Sequence, residues 1–319
     1  MSLLIQGLAA GLVIPSAVAL GLASLPMLGD ALGLRRSATR CRQRIEVTIR
    51  IGRLVHEIQK ERGLSVAAVT RRDASAAQAL ETQRQVGSMA VTALRTALAQ
   101  ASQDGGKAMD GIHGLEDLRR RIDGHAMTGA EVVQAFSATI GLLLALSSDM
   151  VRGAARGRLI GLAMAAVNLM AAKEMAGQER ALVSNALGAG ALDEGLRRRL
   201  VQAIGGQDIY LGLYRDLAGD AGASAMESDL APLDPPILAV RKALLDEDRV
   251  PSLTVAEWFA LATARIDILK SHEDRLAETL LDATAKLETM ARRRPWAISL
   301  LAAASASVLL VFLLLPQSI

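Results

Sequence analysis

The pattern of hydrophobic and polar positions divides the chain into two nearly uncharged ends and a long mixed middle. Residues 1–34 contain no Lys or Arg, and Asp30 is their one acidic residue. Residues 295–319 contain no charged side chain. The run Trp296–Leu315 is long enough to cross the hydrocarbon core of a bilayer as a helix, and so is the run Leu3–Leu28. The pattern therefore predicts a membrane-spanning helix at each end.

Arginine clusters border both apolar runs. A buried core helix fits this abrupt change poorly. For the N-terminal run a cleaved signal peptide is the alternative to a retained span, although it would need a basic start, which Met-Ser-Leu-Leu-Ile-Gln does not provide. Because Lys and Arg concentrate on the cytoplasmic side of membrane spans, the clusters favour a middle domain in the cytoplasm with both tails outside. The first cluster contains Arg35, Arg36, Arg40, Arg42 and Arg44, and the second contains Arg292, Arg293 and Arg294.

The middle of the chain, residues 35–294, has the pattern of a helical domain. Apolar residues recur near the helical period, and clusters of Gly, Pro and Asp mark the breaks. Thr254, with Glu257 three residues later, forms a capping box that predicts the start of the last long helix. The stretch 218–236 is predicted to be the longest loop. The predicted helices span 36–70, 74–101, 114–123, 129 onwards, 157–187, 192–217 and 254 onwards.

Composition supports a wholly helical protein. Hydrophobic residues make up 51% of the 319 positions and are mostly Ala and Leu, which favour helices, whereas aromatic residues make up only 2%. The single cysteine, Cys41, excludes a disulfide scaffold. We therefore predict an all-α chain with an N-terminal transmembrane segment (1–34), a helical domain (35–294) and a C-terminal transmembrane segment (295–319).

No pattern in the chain predicts catalysis, a metal site or a nucleotide site. The four histidines form no HExxH motif, and the sequence contains no GxxxxGK[ST] or GxGxxG phosphate loop. The scarcity of aromatic residues disfavours stacking on single-stranded nucleic acid. We therefore expect no enzymatic activity, no catalytic or metal-binding residues, no cofactor and no nucleic-acid partner.

A short repeat is the most informative feature of the sequence. Glu61-Arg62-Gly63-Leu64 and Glu179-Arg180-Ala181-Leu182 share the pattern Glu-Arg-x-Leu and lie 118 residues apart. Each arginine could be a surface residue or the partner of a nearby glutamate, and exposed pairs of that kind contribute little stability. The small and apolar residues around both motifs favour a second interpretation, in which the arginines are buried or face a partner helix and need an anion.

Two such arginines suit a small oxyanion. The guanidinium group offers a planar fork of donors that matches a planar oxyanion two hydrogen bonds at a time. At a separation of roughly 6 Å and an effective dielectric constant of about 20, two arginines repel each other by about 3 kcal/mol, and an anion between them removes that cost. Arg62 and Arg180 are therefore the candidate ligand-binding residues.

The residues around the repeat resemble the nitrate- and nitrite-sensing (NIT) domain family. The first motif lies in Leu54–Ser65, which is similar to the signature helix of that family, and the second lies in Asn168–Leu182. The resemblance covers nearly all of residues 45–280, although the family more often has Tyr where this chain has Phe136. The segments with a less specific resemblance are, in chain order, Leu80–Arg84, Leu118–Arg120, Phe136–Ile140, Glu257–Phe259 and Thr263–Asp267.

This resemblance implies a sensor built of two up-and-down helical bundles packed together. Nitrate or nitrite is expected between the bundles, bound by Arg62 and Arg180, with Gln59, Lys60 and Gln178 as further neighbours. The family usually couples this domain to an output domain, which does not follow the second predicted span here. A homodimer or a separate signalling protein is therefore expected to receive the signal.

The expected location is the bacterial cytoplasmic (inner) membrane, with both predicted spans in the lipid bilayer. Family members with two spans usually place the sensor outside the cytoplasm, whereas the flanking charges here favour the cytoplasmic side. A helical membrane scaffold, or a degenerate receptor without a ligand, is the alternative function. The two hypotheses differ in geometry, because a sensor needs Arg62 and Arg180 to converge and a scaffold does not.

Overall fold

The computed structural model describes residues 2–71, 74–153 and 158–314, and every regular element among them is an α-helix. The predicted all-α fold of helical bundles is confirmed. In chain order the helices are α1 (Ser2–Arg71), α2 (Ala74–Gln100), α3 (Gly106–Asp123), α4 (Gly129–Arg152), α5 (Arg158–Ala189), α6 (Glu194–Ala218), α7 (Asp220–Leu230), α8 (Asp234–Leu245) and α9 (Val255–Leu314).

The chain divides into two compact units. One comprises Gln43–Leu281, and the other comprises α1 up to Arg42 together with α9 from Asp282. In the latter unit, Glu288 of α9 accepts hydrogen bonds from Thr39 (3.2 Å) and Arg42 (2.7 Å) of α1. The candidate ligand-binding residues all lie in the former unit.

Helices α1 to α4 form a four-helix bundle with its own core. The apolar positions of α1 recur at helical spacing, so that Ile51, Leu54 and Ile58 all point inward and are almost completely buried. Phe136 and Ile140 of α4 pack into the same core. Burial of each such side chain contributes about 1.5–3 kcal/mol, which is the main term that holds the bundle together.

A second bundle is formed by α5, α6, α8 and α9. Trp258 of α9 is its largest buried side chain and packs with Val183 of α5, Leu200 of α6 and Ile237 of α8. The short helix α7 lies between α6 and α8 in the chain. The two predicted bundles are therefore present, and each has a separate apolar core.

The second bundle repeats the plan of the first. Each begins with a helix that carries a Glu-Arg-x-Leu motif and ends with a helix introduced by a capping box. Glu131 accepts from the backbone N–H of Thr128 at the start of α4 (2.7 Å), and Glu257 accepts from that of Thr254 at the start of α9 (2.9 Å). The boxes lie 126 residues apart, close to the 118 residues that separate the motifs.

Two boundaries differ from those expected from the sequence. The predicted loop 218–236 is wrong, because it contains α7 and the start of α8. Proline breaks a helix interior, but Pro235 and Pro236 occupy the first turn of α8, where the missing N–H costs nothing. Helix α3 begins at Gly106 rather than at 114, because Gly105 adopts a left-handed conformation (φ 79°) just before it.

Three of the described helices are long and apolar enough to cross a membrane, by length and composition alone: Val18–Thr70, Gly129–Arg152 and Leu159–Ala189. The second and third belong to the bundles, and 67% of the most apolar window of the third is buried in protein, so core packing accounts for its composition. Only 11% of the N-terminal window is buried, which leaves an exposed apolar surface of the kind that suits lipid. The predicted span Trp296–Leu315 extends beyond the described residues.

The matched capping boxes give a test of the repeat. Thr128→Ala and Thr254→Ala each leave a helix-starting N–H without its acceptor, so each is expected to lower the free energy of unfolding by about 1 kcal/mol. Urea denaturation followed by circular dichroism measures both losses. Thr92→Ala is the control, because Thr92 is exposed within α2 and caps no helix end. A loss at one box without a loss at the other would contradict their equivalence.

Candidate functional site

The glutamate of the first motif lies inside its own bundle and is bound there by arginine. Glu61 is completely buried and accepts two hydrogen bonds from the guanidinium of Arg119 on α3, at 2.7 and 2.8 Å. Arg84 of α2 approaches the same carboxylate to 3.8 Å. The hydrogen bond to Glu61 raises the pKa of Arg119 despite its burial, so Arg119 stays charged at physiological pH.

The second motif is built in the same way. Glu179 accepts two hydrogen bonds from the guanidinium of Arg241 on α8, at 2.6 and 2.8 Å, and a third from Gln207 of α6 at 2.6 Å. Helices α3 and α8 thus supply equivalent arginines to equivalent buried glutamates. These bidentate pairs fix the rotation of the motif helices, because removing one partner of a buried pair costs about 3–5 kcal/mol.

Arg62 follows Glu61 along α1 and faces the second bundle. Consecutive helical residues point about 100° apart, so an arginine next to a core glutamate cannot share its direction. Nη1 of Arg62 donates to Oγ of Ser137 on α4 and to Oε1 of Glu174 on α5, both at 2.6 Å. Arg62 and Glu174 are both buried, and they form an ion pair that joins the two bundles.

Arg180 has the equivalent hydroxyl contact but no equivalent acid. Its Nη1 donates to Oγ1 of Thr263 on α9 at 2.7 Å, and its guanidinium carbon lies 4.4 Å from the centre of the Phe259 ring. The indole N–H of Trp258 donates to the backbone carbonyl of Arg180 at 3.0 Å, which ties α5 to α9. No carboxylate of the described residues lies within 4.0 Å of the Arg180 guanidinium nitrogens. Arg180 is therefore a partly buried cation held by a hydroxyl and an aromatic face.

The two motif arginines act on each other electrostatically. Burial, followed by the charge of Arg62, lowers the pKa of Arg180 to about 10, and the carboxylate of the exposed Asp267 offsets only part of this shift. Gly177, which lies on α5 three residues before Arg180, borders Arg62: a Cβ there would stand 3.0 Å from Nη2 of Arg62. Glycine at this position lets the Arg62 guanidinium approach α5 closely.

The other predicted neighbours of the ligand fall into two groups. Gln59 and Gln178 each donate to Glu174 at 2.9 Å, so both join the buried cluster around Arg62. Lys60 lies apart from this cluster, since its Nζ pairs with Glu57 at 3.2 Å on a more exposed side of α1.

Sequence reasoning did not predict the contacts of Ser137 and Thr263. The capping boxes were the signal that could have found them, because each hydroxyl lies nine residues after the threonine of its box. Two residues at the same distance from equivalent helix starts take equivalent positions in the two bundles. Each therefore meets the motif arginine of its own bundle.

His56 occupies in the first motif helix the position that Glu174 occupies in the second. Each lies six residues before its motif arginine. Burial, followed by the charges of Lys173 and Lys60, lowers the pKa of His56 to about 4. His56 is therefore neutral at physiological pH and contributes no charge to this part of the domain.

The helical domain matches a known protein family. The family model described as nitrate and nitrite sensing (NIT) matches residues 53–281, a segment that contains both motif arginines and both of their hydroxyl partners. The chain belongs to the NIT family. The resemblance found in the motifs is confirmed, and the family is one of sensing domains rather than of enzymes.

A curated protein and a solved structure extend the comparison for this NIT chain. The nitrate regulatory protein of Klebsiella oxytoca is 28% identical over 178 residues, which cover 54% of this chain and 44% of that protein. The matched segment thus spans less than half of the relative. The structure of the NasR transcription antiterminator has the same fold, with a TM-score of 0.72 and 22% identity over 87% of this chain and 82% of that one. The expectation of no nucleic-acid partner stays a prediction.

The lowered pKa of His56 predicts how stability depends on pH. An unfolded histidine titrates near pH 6.5, whereas folded His56 stays neutral down to about 4, so the unfolded state binds more protons between these values. The stability contributed by neutral His56 is therefore present above pH 6.5 and is lost as the pH falls towards 4. In His56→Gln the unfolding free energy is expected to fall less steeply, by at most about 1.4 kcal/mol per pH unit.

Urea denaturation across this pH range measures the difference in slope. His113→Gln is the matched control, because His113 is exposed on α3 and should leave the slope of the wild type unchanged. Parallel pH profiles of the wild type and His56→Gln would show that His56 does not stay neutral in the folded domain.

Proposed function

We propose that this domain binds nitrate or nitrite between the two bundles, at Arg180 and Arg62. The observation that carries the proposal is the partly buried Arg180, which has no acidic partner among the described residues, whereas its counterpart Arg62 pairs with Glu174. Membership of the NIT family supplies the chemical class of the ligand. The nitrate regulatory protein of Klebsiella oxytoca supports the same class.

The chemistry of the side chains suits a small planar oxyanion. Guanidinium groups present parallel N–H donors to such an anion, and a negative charge beside Arg180 offsets both its burial and the repulsion from Arg62. The hydroxyls of Ser137 and Thr263 accept hydrogen bonds from the arginines, and each also carries a proton that it can donate to an oxygen of the ligand. Hydroxyls of this kind can thus serve both the arginine and the anion.

A scaffold without a ligand is the competing function. It predicts that each motif arginine is satisfied within the protein, as Arg62 is by Glu174. Arg180 does not meet that expectation, because the described residues offer its guanidinium one hydroxyl and one aromatic ring but no carboxylate. A cation that is largely removed from water without a counter-charge costs stability, and a binding function gives a reason for its presence.

We further propose that the protein is anchored in the bacterial cytoplasmic membrane and passes a change on to a homodimeric or separate signalling partner. Helix α9 carries Thr263 and continues to Leu314, and helix α1 carries Arg62 and begins with the apolar segment. A shift of either helix at the ligand can therefore travel along it. The flanking arginines favour a sensor domain on the cytoplasmic side.

Arg180 gives the sharpest test of ligand binding. Nitrate at about 100 times its Kd is expected to stabilise the wild-type protein by about 2.7 kcal/mol. Arg180→Met should abolish this effect and leave the ligand-free protein at least as stable as the wild type, because it removes a partly buried cation that has no acidic partner among the described residues. Thermal denaturation of the detergent-solubilised chain measures both, with chloride at the same ionic strength as the reference.

Two further variants separate charge from geometry in that experiment. Arg180→Lys keeps the charge but loses the planar fork, so its response to nitrate should be weaker than that of the wild type. Arg53→Met removes an exposed arginine from the same domain and should respond as the wild type does. If nitrate stabilises Arg180→Met as strongly as the wild type, the ligand does not bind at this arginine.

Membrane anchoring is tested by placing charges in the two predicted spans. Leu22 and Leu300 are 64% and 70% exposed, and an arginine within a span costs up to about 3 kcal/mol. Carbonate is therefore expected to extract the double variant Leu22→Arg with Leu300→Arg from the membrane, whereas the wild type should stay in the membrane fraction. Met89→Arg with Val201→Arg adds the same charge to exposed positions of α2 and α6 and should stay with the membrane. Extraction of the wild type by carbonate would contradict anchoring.

A further inference from the structure

We infer that Glu174 is a specificity-determining residue of the anion site: its carboxylate neutralises one of the two motif arginines, so that the site accepts one negative charge and discriminates against divalent oxyanions. The inference rests on the proposed binding of an anion at Arg62 and Arg180, and it concerns which anions can bind there. It is carried by the contacts of Glu174 and by the comparison of the two bundles.

Glu174 is a fixed charge of the site. Its Oε1 accepts from Arg62 at 2.6 Å and from Gln178 at 2.9 Å, and its Oε2 accepts from Gln59 at 2.9 Å. Only 2% of the residue is exposed. Both oxygens are therefore held by donors that come from both bundles, and rotation away from Arg62 would break the contacts with the amides as well. The carboxylate is therefore held beside Arg62 by three hydrogen bonds.

Comparison of the two bundles shows that this charge is specific to one of them. The motifs match in their buried glutamates, Glu61 and Glu179, each bound twice by an arginine. They differ six residues before the motif arginine, where α5 has Glu174 and α1 has His56. Of the two motif arginines only Arg62 has a close counter-charge, because no carboxylate of the described residues lies within 4.0 Å of the Arg180 guanidinium nitrogens. With only one counter-charge, a single unit of positive charge is left for a ligand.

The charges around the site add up to this single unit. Arg62 and Arg180 contribute two positive charges and Glu174 one negative charge. Asp267 and Lys60 are exposed and of opposite sign, so water and salt screen both. Other buried charges of the domain are paired, namely Glu61 with Arg119, Glu179 with Arg241, Lys173 with Glu273, and Arg265 with the half-exposed Asp234.

This balance favours monovalent anions. A nitrate or nitrite ion makes the buried group of charges neutral, so the desolvation of all its members is matched by attraction. A sulfate ion would leave one unpaired negative charge beside the carboxylate of Glu174, in a place largely closed to water. Discrimination therefore comes from repulsion by Glu174 as well as from the shape of the guanidinium forks.

The experiment compares nitrate and sulfate binding to the wild type and to Glu174→Gln. Titration calorimetry of the detergent-solubilised chain, at constant ionic strength, gives the ratio of the sulfate Kd to the nitrate Kd. Glutamine retains an oxygen that can accept from Arg62 but removes the charge, so the ratio is expected to fall by about tenfold or more. Glu194→Gln removes the same charge from an exposed position of α6 and should keep the wild-type ratio.

If Glu174→Gln does not fold, the inference can be tested on the wild type by comparing its affinities for perchlorate and sulfate. Perchlorate and sulfate have the same tetrahedral shape but differ in charge. Selection by charge predicts that perchlorate binds about tenfold more tightly than sulfate or better, whereas selection by shape alone predicts similar, weak binding of both. Equal affinities for these two anions would overturn the inference.

The outcomes separate this inference from the proposed function. If the wild type binds nitrate and Glu174→Gln keeps the wild-type ratio of Kd values, Glu174 does not set the charge of the ligand and the inference fails, while the proposed function stands. If the wild type binds no nitrate, the proposed function fails and the inference fails with it. A fall in the ratio in Glu174→Gln, but not in Glu194→Gln, supports the inference.

Discussion

The buried pair of a motif glutamate with a bidentate arginine is the interaction on which the rest of this domain depends. It occurs once in each bundle, as Glu61 with Arg119 and as Glu179 with Arg241. Each pair fixes the rotation of a long helix about its axis. If the glutamate turned out of the bundle, its partner arginine would keep a buried charge without a counter-charge. The next residue along the helix must then point elsewhere, since neighbouring helical residues differ by about 100° in direction. The Glu-Arg dipeptide thus anchors a helix with its first residue and directs a cation with its second.

The difference between the bundles gives the domain its proposed ligand. Two identical bundles would leave both motif arginines in the same state, either both paired or both unpaired. Here Glu174 pairs with Arg62, and the neutral His56 stands at the corresponding position of α1. Arg180 keeps a charge that burial and Arg62 both disfavour. Under the proposed function an anion relieves this electrostatic cost, and its binding is expected to change the packing of one bundle against the other.

Much of this architecture was predictable because it depends on local patterns. The abundance of Ala and Leu predicted a wholly helical chain, and the threonine–glutamate box at Thr254 predicted the start of α9. The loop predicted at 218–236 failed for a local reason as well, since proline breaks a helix interior but suits a first turn. The repeated motif drew attention to Arg62 and Arg180, which take equivalent places in the two bundles, and their role in binding stays a prediction. The contacts of Ser137 and Thr263 were missed because they join helices far apart in the chain.

The sequence by itself determined that this is an all-helical chain of the NIT family, with two arginines in equivalent motifs and apolar segments near its ends. The helical period, the capping residues and the repeated motif can be recognised in the sequence because each depends on residues that are close together along the chain or on a repeated pattern. Only the tertiary structure decided that the arginines are unequal, with Arg62 paired to Glu174 and Arg180 unpaired among the described residues. That distinction depends on which side chains from separate helices meet in a buried place, where a charge must find its partner nearby or remain open to a ligand.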